Sequence, residues 1–317
     1  MLVVTPNPCF DRTLWVDHFE AGAVARPYRV AVTAGGKGVN VLRTALDLGH
    51  AARLVLLLPR EEGAELAGLL ADEGIEVLDV PAEGRVRSAT IVLEDSGRAS
   101  VLNEPGACVG EADLDRLLER LTTAVSPGEV VLCSGSLPPG LPDDAYGRVV
   151  DVARSAEAVV VVDGARTALA RAVEHGPDVV CPNLHEAEGL LSGAVLEPAD
   201  DAPPAQVRDR ALAAAARLHG EGVAHAIVTA GGAGAALVDG EGERWFDAHR
   251  VDVVNPIGAG DSFASALGAA HESGHGWPEA VRRAVATAGA AVQTPTAGRV
   301  DAGHVEALLA GVEEVAS

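Results

Sequence analysis

Apolar positions recur with two different rhythms along the chain. From residue 111 onwards, stretches with a helical period alternate with short apolar runs. The pattern predicts helices at 111–124, 143–154, 165–174, from 184, and at 206–219, and strands at 129–133, 159–162, 179–180 and 226–229. A glycine turn then leads to strands at 235–238 and 244–246. Strand–helix alternation of this kind predicts a mostly parallel sheet covered by helices on both faces.

The first hundred residues break this alternation. A strand at 1–5, a helix to about 48, a strand at 53–58, a helix at 61–73 and a strand at 77–80 fit the main sheet. Four further β segments, at 12–16, 26–33, 87–93 and 98–103, do not alternate with helices. The last two flank Asp95-Ser96-Gly97, a hairpin signal. We therefore expect one domain over 1–317, with lid segments at about 11–33 and 86–104 forming a small separate β-sheet.

The stretch 251–270 combines an apolar run, a glycine turn and a helix. Val251, Val253 and Val254 predict a short strand, and a helix is predicted from about Asp261, followed by another at 277–293. Free N–H groups at a helix start favour an anion. A carboxylate beside such a site would repel a bound phosphate, so its presence there needs a functional reason. One reason is that it accepts the proton of an attacking hydroxyl, as phosphoryl transfer requires. The alternative is a plain helix cap after a glycine turn.

Composition excludes several classes of partner. The net charge of -22 disfavours nucleic acid and anionic membranes. The N-terminus shows no signal peptide, and no apolar run is long enough to span a bilayer. The four cysteines lack CxxC pairing, which is typical of a reducing cytoplasm and argues against structural zinc. Lys37 is the only lysine beside 23 arginines, so a compact ammonium is expected to be required within Gly35–Gly38.

Several polar or glycine-rich segments follow predicted strands, where ligands of open α/β sheets bind. They are Ser134-Gly135-Ser136, Asp163-Gly164, Asn183 with Glu186, 229–234 and 255–261. Each alone also has a structural explanation: a turn, or a capping box in the case of Asn183 and Glu186. Neither 34–40 nor 229–234 matches a P-loop or a dinucleotide fingerprint. The convergence of the five segments that follow strands, at one edge of the predicted sheet, is what indicates a site.

Six motifs, taken together, resemble those of the ribokinase-like (PfkB-type) carbohydrate kinases, specifically the fructose-1-phosphate kinase and tagatose-6-phosphate kinase branch. They are TPNPCFD at 5–11, AGGKGVNVLR at 34–43, SGSLPPG at 134–140, PNLHE at 182–186, TAGGAG at 229–234 and NPIGAGDS at 255–262. The resemblance covers nearly the whole chain. It implies an α/β fold, namely a three-layer αβα ribokinase-like domain with a mostly parallel sheet and a small β-sheet lid that often mediates dimerisation.

The resemblance also implies roles for individual residues. Asp261 would be the base, and Gly258, Ala259 and Gly260 would form the anion hole. The acceptor would contact Asp11, Gly36, Lys37, Asn40, Arg87 and Ser136, with Lys37 and Arg87 meeting its own phosphate. The nucleotide would contact Asn183, Thr229, Gly231, Gly234 and Gly260. Asn183 and Glu186 would position Mg²⁺ indirectly. ATP would be the co-substrate. Whether a monovalent cation (K⁺) binds near 255–257 is left open by the resemblance.

These implications define the leading hypothesis: ATP-dependent phosphoryl transfer to fructose 1-phosphate, tagatose 6-phosphate or fructose 6-phosphate in the cytoplasm, by a chain that could form a homodimer through its lid. The glycine-rich run containing Lys37 favours a phosphorylated acceptor. One departure is Cys181, which stands where the branch usually has lysine before Pro-Asn. Two alternatives remain at this stage: a kinase for an unphosphorylated sugar or nucleoside, and a catalytically silent sugar-phosphate sensor.

Overall fold

A ten-stranded sheet forms the centre of the molecule. The structure is a computed structural model that describes residues 1–164, 166–193 and 202–316. The strands are β1 Leu2–Thr5, β4 Arg53–Glu61, β5 Glu76–Arg85, β8 Val130–Ser134, β9 Val159–Asp163, β10 Val179–Val180, β11 His225–Thr229, β12 Gly234–Asp239, β13 Gly242–Asp247 and β14 Glu314–Ala316. Their order is β14-β13-β12-β11-β10-β9-β8-β1-β4-β5. From β5 to β11 neighbouring strands are parallel, and the β12–β14 edge is antiparallel.

Helices cover both faces of this sheet, as the alternating pattern predicts. They are α1 Lys37–Asp47, α2 Gly63–Asp72, α3 Glu111–Ala124, α4 Ala145–Ser155, α5 Arg166–Glu174, α6 Leu184–Ser192, α7 Pro204–Gly220, α8 Ala259–Glu272, α9 Trp277–Ala291 and α10 Ala302–Leu309. One apolar core joins the sheet to α1, α2, α8, α9 and α10, and a second joins it to α3–α7. Strand β8 is buried at every position because both faces are covered. The three-layer αβα fold is confirmed.

A separate four-stranded sheet forms the lid. Its strands are β2 Cys9–Val16, β3 Arg29–Gly35, β6 Arg87–Glu94 and β7 Ala99–Asn103, in the order β3-β2-β6-β7. The hairpin across Asp95-Ser96-Gly97 is present, since β6 and β7 are antiparallel partners. Val30, Val32, Val101 and Leu102 stay exposed on the lid. Within the described ranges, no helix has the length and apolar content needed to cross a membrane.

The structure corrects three expectations along the second half of the chain. The segment 251–254 is not a strand: Val254 N–H and Asn255 N–H both donate to the carbonyl of Val292, and Val253 and Val254 are exposed. Helix α8 begins at Ala259, two residues before the predicted start. Helix α10 and strand β14 were not predicted, because both are short and follow the last strongly periodic segment.

Candidate active site

The carboxyl ends of β8 and β9 bring the first polar groups together. Ser134 Oγ donates to Asp163 Oδ2 at 3.2 Å, and both side chains are buried. Lys37 Nζ, at the start of α1, lies 3.4 Å from Asp163 Oδ2 and 4.0 Å from Glu186 Oε1. The nearby Asp163 carboxylate raises the pKa of Lys37, so the ammonium stays charged. The convergence expected at the ends of parallel strands is therefore present.

Helix α8 presents its first turn to the same place. Gly258 adopts φ 85°, a left-handed conformation that favours glycine, and caps the helix. A Cβ at Gly258 would also lie 2.9 Å from the backbone nitrogen of Gly298. The N–H groups of Ala259, Gly260 and Asp261 belong to the first turn, where intrahelical acceptors are lacking. The earlier helix start thus makes the predicted anion hole part of α8 itself.

Asp261 is a buried carboxyl group with a perturbed pKa. Its side chain is 5% exposed, and Oδ2 accepts a 2.8 Å hydrogen bond from Asn40 Nδ2. Burial raises the pKa of Asp261 to about 7; the Asp163 carboxylate acts in the same direction, and the Lys37 ammonium and the Asn40 hydrogen bond oppose it. A carboxylate with such a pKa exchanges protons near neutral pH, as a general base must.

A cavity of about 840 Å³ contains every residue predicted to bind the acceptor. Its lining includes Asp11, Gly36, Lys37, Asn40, Arg87 and Ser136 together with Gly258, Ala259, Gly260, Asp261, Asn183 and Glu186. Arg87 is held by backbone carbonyls: Nε and Nη2 donate to Asn7 O, and Nη1 donates to Glu104 O. Asn7 also donates to Ser136 Oγ at 3.1 Å. The guanidinium is thus fixed at the cavity wall.

Asp11 is packed tightly against the backbone of β3. A Cβ built on Gly35 would lie 2.2 Å from the Asp11 carboxyl carbon, so only glycine at 35 leaves room for the Asp11 carboxyl group in its present position. Cys9 Sγ donates to Asp11 Oδ1 at 3.4 Å, and burial raises the pKa of Asp11. Burial likewise raises the pKa of the Cys9 thiol. Gly35, the first glycine of the AGGKG run, therefore has a direct steric role.

A second cavity, of about 550 Å³, contains the predicted nucleotide residues Thr229, Gly231 and Gly234. Pro256, Ala259 and Gly260 line both cavities, so the anion hole lies where the two meet. The other walls of the 550 Å³ cavity are mostly apolar and are formed by Val251, Val253, Phe263, Val285, Ala288, Gly289 and Val292. These residues of the 251–254 segment and of α9 were not predicted as site residues, because nothing in their spacing marks them as ligands.

Asn183 and Glu186 form a capping box at the start of α6, which is the structural explanation that the sequence allowed for them beside a binding role. Asn183 Oδ1 accepts from Glu186 N at 2.9 Å, and Glu186 Oε2 accepts from Asn183 N at 3.0 Å. Glu186 Oε1 still faces Lys37. Burial raises the pKa of Glu186. Cys181, just before this motif, is buried, and burial raises its pKa well above the usual range, so it supplies no charge.

Two further polar residues contact residues of the site although they were absent from the predicted set. Asp163 was singled out only as a strand end, yet it contacts Lys37 and Ser134. Arg43 reads as one more arginine on an amphipathic helix, but it is 3% exposed and donates to Asn40 Oδ1 at 3.2 Å. Its partner Glu73 lies 30 residues away, a separation that periodicity cannot connect.

A buried carboxylate beside a helix N-terminus, a fixed ammonium and two adjoining cavities define a phosphotransferase site on a ribokinase-like fold. The pfkB family carbohydrate kinase model matches residues 5–301, and the chain belongs to this family. It is an ATP-dependent carbohydrate kinase.

Individual relatives agree with this assignment over the full length. The chain is 28% identical to the 1-phosphofructokinase of Escherichia coli (strain K12), over 98% of this chain and 96% of that one. Phosphofructokinase-2 from Escherichia coli in complex with potassium superposes with a TM-score of 0.88, 26% identity and 98% coverage of both chains. The tetrameric inhibited form of that enzyme gives a TM-score of 0.86 at 26% identity, over 98% of this chain and 97% of that one.

Proposed function

We propose that this kinase transfers the γ-phosphoryl group of ATP to a hydroxyl of a phosphorylated ketohexose. Fructose 1-phosphate, tagatose 6-phosphate and fructose 6-phosphate are the candidate acceptors. The observation that carries the proposal is the position of Asp261, a buried carboxylate at the start of α8 in a cavity that also holds Lys37 and Arg87. The 1-phosphofructokinase and phosphofructokinase-2 relatives support the choice of acceptor class.

Asp261 accepts the proton of the acceptor hydroxyl. Because Asn40 binds Oδ2, we assign proton acceptance to Oδ1. The deprotonated oxygen forms a bond to the γ-phosphorus, the bond to the bridging oxygen breaks, and ADP leaves with that electron pair. The first-turn N–H groups of α8 and the Lys37 ammonium stabilise the charge on the transferred group. A pKa near 7 suits this role because the carboxylate is ionised but still basic at neutral pH.

The acceptor lies in the 840 Å³ cavity in this proposal. Arg87, with Lys37, binds its phosphate, and Asp11, Gly36 and Asn40 bind its hydroxyls, with Ser136 at the wall. ATP occupies the 550 Å³ cavity, with its phosphates along Thr229, Gly231 and Gly234 and directed towards Gly260. Arginine suits the phosphate because its planar fork donates two hydrogen bonds to one oxyanion.

The carboxylate and amide groups near Lys37 fit a magnesium ion, which prefers oxygen ligands and retains several waters. Glu186 Oε1 faces Lys37 at 4.0 Å, and Asn183 lies beside it through the capping box. We infer that these two residues position Mg²⁺ indirectly; when bound, the ion neutralises charge on the ATP phosphates. A K⁺ ion near the 255–257 loop is part of the same proposal, supported by the potassium complex of the Escherichia coli relative.

We also propose how the domain and its lid are organised. We treat 1–317 as one kinase domain whose lid segments, about 11–33 and 86–104, belong to it. The exposed lid residues Val30, Val32, Val101 and Leu102 support a homodimer through the lid. The related phosphofructokinase-2 also has a tetrameric form, so the dimer is the smaller of two assemblies to test. Four free cysteines support a cytoplasmic location.

The substitution Arg87→Met tests the acceptor class. We expect the KM for the active sugar phosphate to rise at least tenfold while the KM for ATP stays unchanged, because the phosphate loses its fixed guanidinium. Arg85→Met is the matched control, since Arg85 lies two residues away and pairs with Glu62 on the surface. An unchanged KM for the acceptor in Arg87→Met, with free sugars used equally well, would support a kinase for unphosphorylated sugars instead.

A further inference from the structure

Arg43 is a buried arginine on α1 whose hydrogen bonds lead towards the reacting groups. Its side chain is 3% exposed. Nε and Nη2 donate to the two carboxylate oxygens of Glu73, both at 2.6 Å, and Nη2 also donates to Ala34 O at 2.7 Å. The remaining nitrogen, Nη1, donates to Asn40 Oδ1 at 3.2 Å. A buried guanidinium is retained only when its donors find partners, and here each nitrogen has one.

The Asn40 amide can point either its oxygen or its NH₂ group towards Asp261, and the two orientations have opposite consequences. Arginine is a donor only, so the Asn40 oxygen must face Arg43. The amide NH₂ then donates to Asp261 Oδ2 at 2.8 Å. In the reverse orientation, two oxygens would face each other and the ionised form of Asp261 would lose a hydrogen bond.

We propose that Arg43 is a positioning residue for Asp261: by donating to Asn40 Oδ1 it holds the Asn40 N–H groups towards the carboxylate and so keeps that carboxylate ionised and oriented. The inference rests on the proposed function, in which Asp261 is the base. Arg43 touches neither substrate cavity, and its action passes through Asn40.

The surroundings of Arg43 keep its guanidinium from turning. Glu73 Oε2 also accepts from Arg299 Nη2 at 3.1 Å, and Arg299 Nη1 donates to Asp47 Oδ1 at 2.9 Å. The chain at Gly298 packs directly on Asn40, because a Cβ there would lie 2.6 Å from Asn40 Cα. The backbone and Cβ of Asn40 are therefore held in place beside the cavity that this residue lines.

Other charged groups facing Asp261 remain in place when Arg43 is replaced. They are the Lys37 ammonium on α1, Asp163 at the end of β9 and Asp11 on β2. Arg43 also lowers the pKa of Asp11, so its loss would favour protonation of that carboxyl group as well. Protonation of Asp11 would remove a charge that raises the pKa of Asp261, so this smaller contribution opposes the effect of losing the Asn40 hydrogen bond. A rise in the pKa of Asp261 on replacing Arg43 is thus traceable to the Asn40 hydrogen bond.

The experiment compares two variants that differ only at residue 43. Glu73→Gln keeps the Arg43–Asn40 hydrogen bond, whereas Arg43→Met/Glu73→Gln removes it without leaving at 73 a carboxylate that has lost its two hydrogen bonds from Arg43. The measurement is kcat/KM for the acceptor against pH, with thermal unfolding as the check of folding. Loss of a hydrogen bond to a charged group corresponds to about one pH unit. We therefore expect the acid limb of the double variant to lie about one unit higher, with about tenfold lower kcat/KM at pH 6.

At pH 9 the two variants should have nearly equal activity, and the KM for ATP should not differ. Arg299→Met is the matched control, because it removes an arginine from the same cluster that does not contact Asn40. If the double variant does not fold, Arg43→Met against wild type carries the same comparison, since Glu73 keeps Arg299 as a partner.

A uniform loss of activity at all pH values, or an equal shift in Arg299→Met, would overturn the inference and leave Arg43 a purely structural residue. Asp261→Asn, assayed alongside, separates this outcome from failure of the proposed function. Turnover retained in Asp261→Asn would remove Asp261 as the base, whereas an inactive Asp261→Asn with an unshifted Arg43 variant would overturn the role of Arg43 alone.

Discussion

Replacing Asp261 by asparagine should lower activity and raise stability at the same time. The change removes the proton acceptor but preserves the size of the side chain. The asparagine oxygen can still accept the hydrogen bond from Asn40 Nδ2, which is 2.8 Å long in the native protein. A positioned general base contributes about 10²–10⁴-fold to turnover, so we expect kcat to fall within that range or further.

The stability gain follows from the perturbed pKa of this group. Burial raises the pKa of Asp261 from 3.8 to about 7. Above pH 7 the Asp261 carboxylate is ionised in both states, and its burial lowers the free energy of unfolding by about 4 kcal/mol. As pH rises, Asp261 loses its proton near pH 4 in the unfolded state but only near pH 7 in the folded state. The destabilisation therefore grows between about pH 4 and pH 7, and it is absent below pH 4. Asparagine never carries the charge, so Asp261→Asn should be more stable than wild type at pH 8 and equally stable at pH 4.

The assays are coupled ADP release, ATP binding by calorimetry and thermal unfolding at pH 4 and pH 8. Asp252→Asn is the matched control, since Asp252 is an exposed carboxylate on the loop beside the same site and should change neither turnover nor Tm. Turnover of Asp261→Asn within tenfold of wild type would refute its role as the base. A lower Tm at pH 8 would refute the account of the raised pKa.

Three other perturbations act on separate parts of the structure. Gly35→Ala places a methyl group 2.2 Å from the Asp11 carboxyl carbon, so the KM for the acceptor should rise at least tenfold while thermal stability changes little, since the end of a short side chain can move. Ala288→Phe fills the 550 Å³ cavity and should raise the KM for ATP, not for the acceptor, in steady-state kinetics. Burial lowers the pKa values of His225 and His271, whose Nδ1 atoms are buried with no hydrogen-bond partner among the described residues, so chemical unfolding should show wild type losing stability relative to a His225→Gln/His271→Gln variant as pH drops below about 6.5.

Each of these expectations has a result that would contradict it. An unchanged KM for the acceptor in Gly35→Ala would mean that Asp11 does not contact the sugar. A rise in the KM for the acceptor alone in Ala288→Phe would mean that the two cavities are assigned to the wrong substrates. A stability difference between wild type and the His225→Gln/His271→Gln variant that stays constant between pH 7 and pH 5 would show that these imidazoles do not contribute to acid destabilisation.

Much of the architecture follows from local sequence pattern, and the exceptions share a physical cause. Helix α3 and strand β10 match their predicted bounds because amphipathic period and short buried runs are local signals. The 251–254 run alternates like a strand, yet β11 and β14 occupy both sides of the β12–β13 pair that precedes it, and Val254 N–H and Asn255 N–H donate to Val292 O instead. Strand pairing depends on the partners available in the fold, which the run itself does not encode.

The site likewise contains residues that local sequence pattern predicts and residues that only the fold identifies. Residues within glycine-rich motifs, such as Lys37 and Asp261, could be predicted because unusual residue types stand at strand and helix ends. They do line one cavity. Arg43 and Asp163 could not be assigned in this way, because their importance comes from contacts made across 30 residues to Glu73 and 126 residues to Lys37. Only the folded chain brings these charges together.

The central claim is phosphoryl transfer from ATP to a phosphorylated ketohexose, and one assay addresses it directly. ADP release with Mg·ATP is measured against fructose 1-phosphate, fructose 6-phosphate, tagatose 6-phosphate, fructose and ribose, with Asp261→Asn as the parallel blank. The account predicts rapid turnover on at least one of the three sugar phosphates, weak turnover on the free sugars, and none above background with Asp261→Asn. Turnover on fructose or ribose alone, or no turnover on any of the five, would contradict it.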